Sequence, residues 1–332
     1  MFIASFNIFI VRRLKLLLLI LLMIIIWMQL LFTEKDDELV VCSVNPHHMA
    51  LKTKFQTAQS VLEDIESECK GMSKTRIRKC KIPKVLHSVV IGGSFKLHHY
   101  MSLKSIHDRI KPEKMYIHGY DFPFDSPYFN RSIQEFKIEL VASRNVKYVF
   151  DNPVHLRHHK SDIIRLETLI RFGGMYFDLD VYALKDVDAL LNGDHEYVMA
   201  PQNYFELNNG VMMSKRCARF PLLWYKEYKY FKDSEWSVLS IIKPTIMYYK
   251  LGAGINRIGL HVDRSLSSDW GSGILFKKEE DTPKEFWTDI RLVHAFWRDH
   301  GIEYNETSVQ QLNSNLGRFA RELFKANPEN KN

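Results

Sequence analysis

Residues 161–180, SDIIRLETLIRFGGMYFDLD, constrain this chain more than any other stretch, because they join a helix through two glycines to a short strand ending in two carboxylates. Ile163, Ile164, Leu166, Leu169 and Ile170 form the apolar stripe of the helix; Ser161 is placed to cap it and Gly173-Gly174 to stop it. Met175-Tyr176-Phe177 reads as a buried strand. Asp178 and Asp180 follow at i and i+2, so in extended backbone both carboxylates lean to one side and can share a hard divalent cation. Asp162 and Arg165 lie one helical turn apart on a common face. Together these residues suit a metal-bound, anionic guest.

Asp-x-Asp alone is also a common solvated turn, and it is the helix, the glycine pair and the apolar strand that favour a metal site here. An EF-hand is excluded by Tyr182 at the third ligand position and by Ala183 where that loop needs glycine. A phosphatase of the haloacid dehalogenase type also opens on an apolar strand and Asp-x-Asp, but Tyr182 stands where that family carries Thr or Val. That phosphatase, and a catalytically inactive binding protein, are the alternative readings.

Residues 16–32 are apolar apart from Gln29 and long enough, at about 26 Å as a helix, to cross a thin bilayer. Arg12, Arg13 and Lys15 precede the run, and Glu34, Asp36, Asp37 and Glu38 follow it. The positive-inside rule therefore predicts a cytoplasmic tail at 1–15, a signal anchor at 16–32 and a lumenal remainder: a single-pass type II membrane protein. No small-x-small cleavage site follows Phe32. The sequons Asn130-Arg131-Ser132 and Asn305-Glu306-Thr307 agree with a lumenal glycoprotein. Cys42, Cys69, Cys80 and Cys217 all fall on that side, where two structural disulfides can form, with Cys69–Cys80 the favoured pair. The absence of Cys-x-x-Cys gives zinc and redox chemistry no support, and the net charge of +7 carries no nucleic-acid signature.

Residues 33–81 read as a stem in which Leu51, Phe55, Ala58, Leu62 and Ile65 form a helical seam. The seam is too short for an isolated coiled coil; packing on its own domain is favoured over a homodimer through the stem. The catalytic domain is predicted over 82–332. It opens on IPKVLHSVVIGG, a near-continuous apolar strand closed by Gly92-Gly93. A helix with Leu97, Tyr100, Met101, Leu103, Ile106 and Ile110 follows, then a strand at 115–118, a helix at 133–141 and a strand at 146–150. Alternating strands and helices predict an α/β domain whose parallel sheet takes its ligand at the carboxyl ends of the strands, where Gly92 and Asp178 both lie. Short strands are expected at 197–200 and 210–213 with Asn208-Asn209 between them, and an aromatic helix from Pro221 to Tyr230. Trp224, Tyr225, Tyr228, Tyr230 and Phe231 read as core and surface aromatics, and the Gly-Ala-Gly at 252–254 as a loop.

From Ile82 to about Asp188 the chain resembles the DXD-containing sugar-transferase family, glycosyltransferase family 32, which includes Golgi mannosyltransferases and α-1,4-galactosyltransferases. IPKVLHSVVIGG is similar to that family's opening strand, and SDIIRLETLIRFGGMYFDLDVY to its nucleotide-sugar motif. The resemblance implies a GT-A fold and a retaining hexosyltransferase in the Golgi. Such an enzyme uses Mn²⁺ or Mg²⁺ to move a hexose or N-acetylhexosamine from a nucleotide sugar, a UDP-sugar favoured over GDP-mannose, to a glycan or glycolipid. It further implies that Asp162 meets the ribose, Arg165 the sugar or diphosphate, Asp178 the sugar and ribose side of the metal, and Asp180 the metal itself, with His294 as a late metal ligand. Asn209 is the candidate for orienting sugar. The family carries Trp at the position of Val90, where the ring stacks on the nucleobase; Phe95 or Tyr100 is the expected substitute.

Overall fold

The computed structural model describes residues 58–72, 77, 79–251, 259–268, 273–297 and 303–325. The apolar run at 16–32 lies outside them, as does the Gly-Ala-Gly loop. Among the described residues no helix is long and apolar enough to cross a membrane.

Helix α1 (Ala58–Cys69) precedes strand β1 (Val85–Ile91), helix α2 (Leu97–Arg109), β2 (Lys114–Tyr120), α3 (Pro127–Glu135) and β3 (Glu139–Ala142). A small ribbon, β4 (Tyr148–Val149) and β5 (Asn152–Pro153), leads into α4 (Arg157–Phe172), β6 (Gly174–Phe177), β7 (Val181–Ala183) and the single turn α5 (Asp188–Leu191). Then come β8 (Tyr197–Pro201), β9 (Leu207–Ser214), α6 (Arg219–Glu227), α7 (Lys243–Leu251), β10 (Leu260–Val262) and β11 (Leu266–Ser268). The last elements are α8 (Lys284–Asp289), β12 (Leu292–His294), α9 (Glu306–Gln310) and α10 (Asn315–Lys325).

Seven strands form the central sheet in the order β10-β8-β9-β6-β1-β2-β3, and β11-β12-β7 form a second, smaller sheet. The expected purely parallel sheet is corrected in one place: β9 runs antiparallel to both β6 and β8, while β6, β1, β2 and β3 are parallel. The physical reason is connectivity. A turn of five residues joins β8 to β9, too short for the crossover that parallel neighbours need, so β9 inserts as a hairpin partner.

Both faces of the central sheet are covered, and the strands alternate between two cores. Met175, Phe177, Val198, Val211 and Met213 join α2, α3 and α10 on one side; Tyr176, Tyr197, Met199 and Met212 join α1, α4, α6 and α7 on the other. Trp224, Tyr225, Tyr228 and Phe231 belong to that second core, whereas Tyr230 is exposed. Gly173 and Gly174 turn the chain from α4 into β6 with φ of 70° and 95°. A Cβ on Gly174 would lie 2.7 Å from the carbonyl oxygen of Val85, so only glycine lets β6 lie against β1 here.

Four local expectations change. The strand expected at 146–150 is only β4 of the separate ribbon, and β3 takes its place beside β2. The helix expected at 133–141 occupies Pro127–Glu135 instead: the Ser126 hydroxyl accepts from the Phe129 N–H, Pro127 starts the helix, and Lys137, at φ 51°, ends it, freeing 139–142 to pair with β2. Helix α4 begins before Ser161, at Arg157, so Ser161 is no cap and its hydroxyl instead accepts from Arg165. Asn208 and Asn209 lie within β9 rather than between strands.

The stem helix α1 buries Val61, Leu62 and Ile65 on the second core, with Arg171 donating to the Val61 carbonyl and pairing with Glu68. This packing overturns the Cys69–Cys80 pairing: Cys69 is bonded to Cys217, 148 residues away in the turn between β9 and α6. Spacing favoured a local bridge, but α1 lies flat along α4 and delivers its last residue to that distant turn. Cys80 is itself disulfide-bonded, and not to Cys69. Replacing Cys217 by Ala should release α1's tether and cost about 2–5 kcal/mol in equilibrium denaturant unfolding; an unchanged midpoint would show that the apolar face of α1 suffices.

Candidate metal and donor site

Asp178, Asp180 and His294 converge at the carboxyl end of β6, with one ligand atom from each lying within 4.8 Å of the others. One turn of the chain and a strand more than a hundred residues later bring them there. Strand β6 delivers Asp178, the turn into β7 delivers Asp180, and β12, paired antiparallel to β7 with His294 opposite Val181, delivers the imidazole. His294 Nε2 is 3.1 Å from Asp180 Oδ1 and 3.8 Å from Asp178 Oδ2. Beneath them passes β9. A Cβ on Gly210 would lie 2.4 Å from His294 Cε1 and 2.7 Å from Asp178 Oδ2, so the site closes only over a glycine.

The other nitrogen of His294 has a fixed partner. Asn208 Oδ1 lies 3.2 Å from His294 Nδ1 and accepts from the Gly210 N–H, while the Asn208 amide donates to Gln202 Oε1 at 2.6 Å. Because that amide orientation makes Oδ1 the acceptor, Nδ1 carries a proton and Nε2 is the nitrogen that faces the carboxylates, free to offer its lone pair once a cation displaces the proton it shares with Asp180. A divalent ion of the Mn²⁺ or Mg²⁺ kind fits this set of two carboxylates and one imidazole nitrogen. Asp178, Asp180 and His294 would hold it.

Arg165 closes the other side. Its guanidinium lies 3.3 Å from Asp178 Oδ1 and 3.4 Å from Asp162 Oδ1, donates to the Asn209 carbonyl at 3.0 Å, and sits 4.6 Å from the Tyr176 ring centroid. Asn209 also donates to Asp162 Oδ1 at 2.8 Å. The Tyr176 hydroxyl donates to Asp178 Oδ1, and the Trp297 N–H to Asp180 Oδ2. Tyr176, Asn208, Gly210 and Trp297 carried no site signal in sequence beyond the note of polar residues at 208–209, since each acts through a contact that only folding creates.

Burial pushes the Asp162 carboxyl up, against the pull of Arg165. Burial pushes Asp180 the same way, but His294 and the Trp297 N–H overcome it and hold the group well below the ordinary carboxylate range. Burial lowers His294, while Asp180 and Asp178 reverse the direction and raise it. His98 and His99, on the cleft wall, are lowered to about 3 and about 4, chiefly by burial, and stay neutral. Lys96, on the same wall, is paired with Glu303. Three aspartates thus face one arginine and a proton shared with His294. The imbalance favours a cation, which would displace that proton.

An open cleft of about 620 Å³ lies over the triad, bounded by Val89, His98, His158, Leu179 and Trp297. Of the sequence-predicted site residues, Asp178 and Asp180 line it; Asp162, Arg165 and His294 are buried and reach it through their contacts with those carboxylates or with each other, Asn209 joins them through Asp162 and Arg165, and Val90 and Gly92 stand apart. Val90 is buried in the first core, because strand alternation turns Val89 toward the cleft and Val90 away. Gly92 stands beyond the end of β1 at φ 58°, beside Asp121 and Arg157. The substitute stacking faces are buried too: Phe95 packs edge-on against Phe129, and Tyr100 donates its hydroxyl to Glu135 beneath Arg131.

Residues 95–197 match the family described as glycosyltransferase sugar-binding region containing DXD motif. The matched segment contains this chain's Asp178-Leu179-Asp180. Asp162, Arg165, Asp178 and Asp180 lie inside it, while Asn208, Asn209, Gly210 and His294 come from beyond its end. Over 164 residues the chain is 23% identical to glucan organizing enzyme 1 of Cryptococcus neoformans var. grubii serotype A, a match covering 46% of this chain and 43% of that relative. It is similar to the solved PaToxG glycosyltransferase (15% identity, 63% of this chain and 79% of that one, TM-score 0.42). It is also similar to the apo-form glycosyltransferase GlyE of Streptococcus pneumoniae TIGR4 (12%, 73% and 63%, TM-score 0.43). A third is the galactosyltransferase LgtC in complex with donor and acceptor sugar analogs (12%, 74% and 98%, TM-score 0.37).

Two outcomes follow from the DXD region's surroundings. Asn208→Leu, which removes the acceptor for His294 Nδ1, should weaken Mn²⁺ binding by roughly 10- to 100-fold in isothermal titration; unchanged affinity would show that Asn208 does not set the imidazole. Val90→Trp should cost about 1–3 kcal/mol of stability in thermal unfolding and leave nucleotide affinity no better, whereas tighter nucleotide binding would place position 90 in the donor pocket.

Proposed function

We propose that the chain is a metal-dependent, retaining glycosyltransferase of GT-A type, a single-pass type II protein of the Golgi membrane with its catalytic part in the lumen. Its donor is a nucleotide sugar, UDP-linked in preference to GDP-mannose, and its acceptor a glycan or glycolipid. One observation carries the reading: the two carboxylates of the DXD motif meet an imidazole with a preset tautomer on one side and a buried guanidinium on the other. The apolar run at 16–32 and its charge asymmetry support the address.

When bound at Asp178, Asp180 and His294, the divalent ion supplies Lewis-acid polarisation of the departing diphosphate. Arg165 adds a fixed, always charged donor where negative charge grows as the anomeric carbon parts from phosphate. Asp162, held by Arg165 and Asn209, offers a carboxylate to donor hydroxyls. The acceptor oxygen bonds to the anomeric carbon on the face that the phosphate leaves, the carbon–oxygen bond to phosphate breaks, and the acceptor proton passes to the departing phosphate oxygen. No side chain of the site need bond covalently to the sugar.

Incubation of the full chain with a panel of nucleotide sugars, with Mn²⁺ or with EDTA, tests this. Metal-dependent release of nucleoside diphosphate supports transfer; phosphate release from p-nitrophenyl phosphate would assign a phosphatase, and neither turnover nor donor binding would leave a binding protein. Asp180→Asn and Arg165→Lys should each cut turnover by on the order of 100-fold or more with the thermal midpoint unchanged. Near-normal turnover in Asp178→Asn/Asp180→Asn would end the metal-site reading.

A further inference from the structure

Among the described residues, the two most exposed large apolar side chains are neighbours, Tyr204 at 86% and Phe205 at 77%. They form the tip of the turn between β8 and β9. Because β9 is antiparallel to both β8 and β6, β8 runs parallel to β6, and its carboxyl end falls on the sheet edge that carries Asp178. The aromatic tip therefore projects from the edge where the reaction site lies.

The turn is built to hold that tip in place. Asn203 Oδ1 accepts from the N–H groups of Phe205 and Glu206 at 2.8 and 2.9 Å, the Asn203 amide donates to Glu206 Oε2 at 2.8 Å, and the Gln202 N–H donates to the Glu206 carbonyl at 2.7 Å. Its base is tied to the site through buried groups: Gln202 accepts from Asn208, whose Oδ1 faces His294 Nδ1. Displaying two adjacent aromatic rings to water risks aggregation and contributes nothing to either core, so a rigid, site-linked turn that does so points to a ligand.

We propose that Tyr204 and Phe205 are an acceptor-recognition platform, on which a sugar ring of the acceptor stacks outside the reaction site; this rests on the transferase reading above. A pyranose presents a patch of axial C–H groups on one face, and the negative face of an aromatic ring attracts those weakly positive hydrogens while both shed water. Asn203 and Glu206 flank the rings with an amide and a carboxylate suited to the sugar's hydroxyls. The platform selects the acceptor. Donor and metal remain the business of the triad and Arg165.

The test uses the full chain reconstituted in nanodiscs, with lactose, N-acetyllactosamine, α-1,2-mannobiose and laminaribiose as probes. Binding is read by calorimetry, and protection of Tyr204 and Phe205 by hydroxyl-radical footprinting. At least one disaccharide should bind and protect both rings; Tyr204→Ala/Phe205→Ala should weaken that binding at least tenfold, Tyr204→Phe should retain it, and affinity for nucleotide with Mn²⁺ should not change. Binding of no probe, equal binding by the double variant, or rings already protected by the bilayer without sugar would each overturn the platform, the last assigning the tip to the lipid surface. A wild-type chain that binds the disaccharide through these rings but binds no nucleotide sugar would instead sink the transferase reading alone.

Discussion

The structure depends on a concentration of negative charge at one buried sheet edge. Asp162, Asp178 and Asp180 are brought together around Arg165, whose guanidinium contacts the first two, while the neighbouring His98 and His99 are neutral. Bringing carboxylates out of water into such proximity is costly unless cations and hydrogen bonds compensate. Arg165, the Tyr176 hydroxyl, the Trp297 N–H and a proton on His294 supply part of the compensation, and a divalent ion at this candidate site would supply more. The residual negative charge, together with the convergence of His294, makes the edge a candidate cation site rather than a solvated turn.

The fold answers this demand with rigid elements. Asp162 and Arg165 sit on α4, whose apolar residues lie within the second core, so the guanidinium cannot swing away to water. Asn208 through Gly210 enter on the inserted strand β9, and the smaller sheet supports His294 through its pairing of β12 with β7. Packing of α1 along α4, fastened by Cys69–Cys217, buttresses the helix that carries the arginine. Helix α1 and its disulfide thereby support the site from a distance.

Much of this was legible in the residues themselves. Helix α4, the glycine stop, β6 and the buried first strand follow from periodicity and glycine placement, which are local properties. The DXD pair and the Asp162–Arg165 face are legible for the same reason, since i, i+2 and i, i+3 spacings fix direction within one element. The error at 133–141 is a local one as well: Ser126-Pro127 is a start signal ahead of the apolar residues that were read as helix.

The sequence by itself determined most of the elements and the pair of carboxylates, because each depends on neighbours along the chain. Only the tertiary structure decided which face of β1 meets the cleft, that Val90 belongs to the core, that β9 runs antiparallel, and that Cys69 pairs across 148 residues. It also decided that Asn208 presets His294, a relation spanning 86 positions that no periodicity records. The physical reason is common to all of them: burial and pairing are set by what lies opposite in space, and that partner is chosen when the sheet and its two cores close.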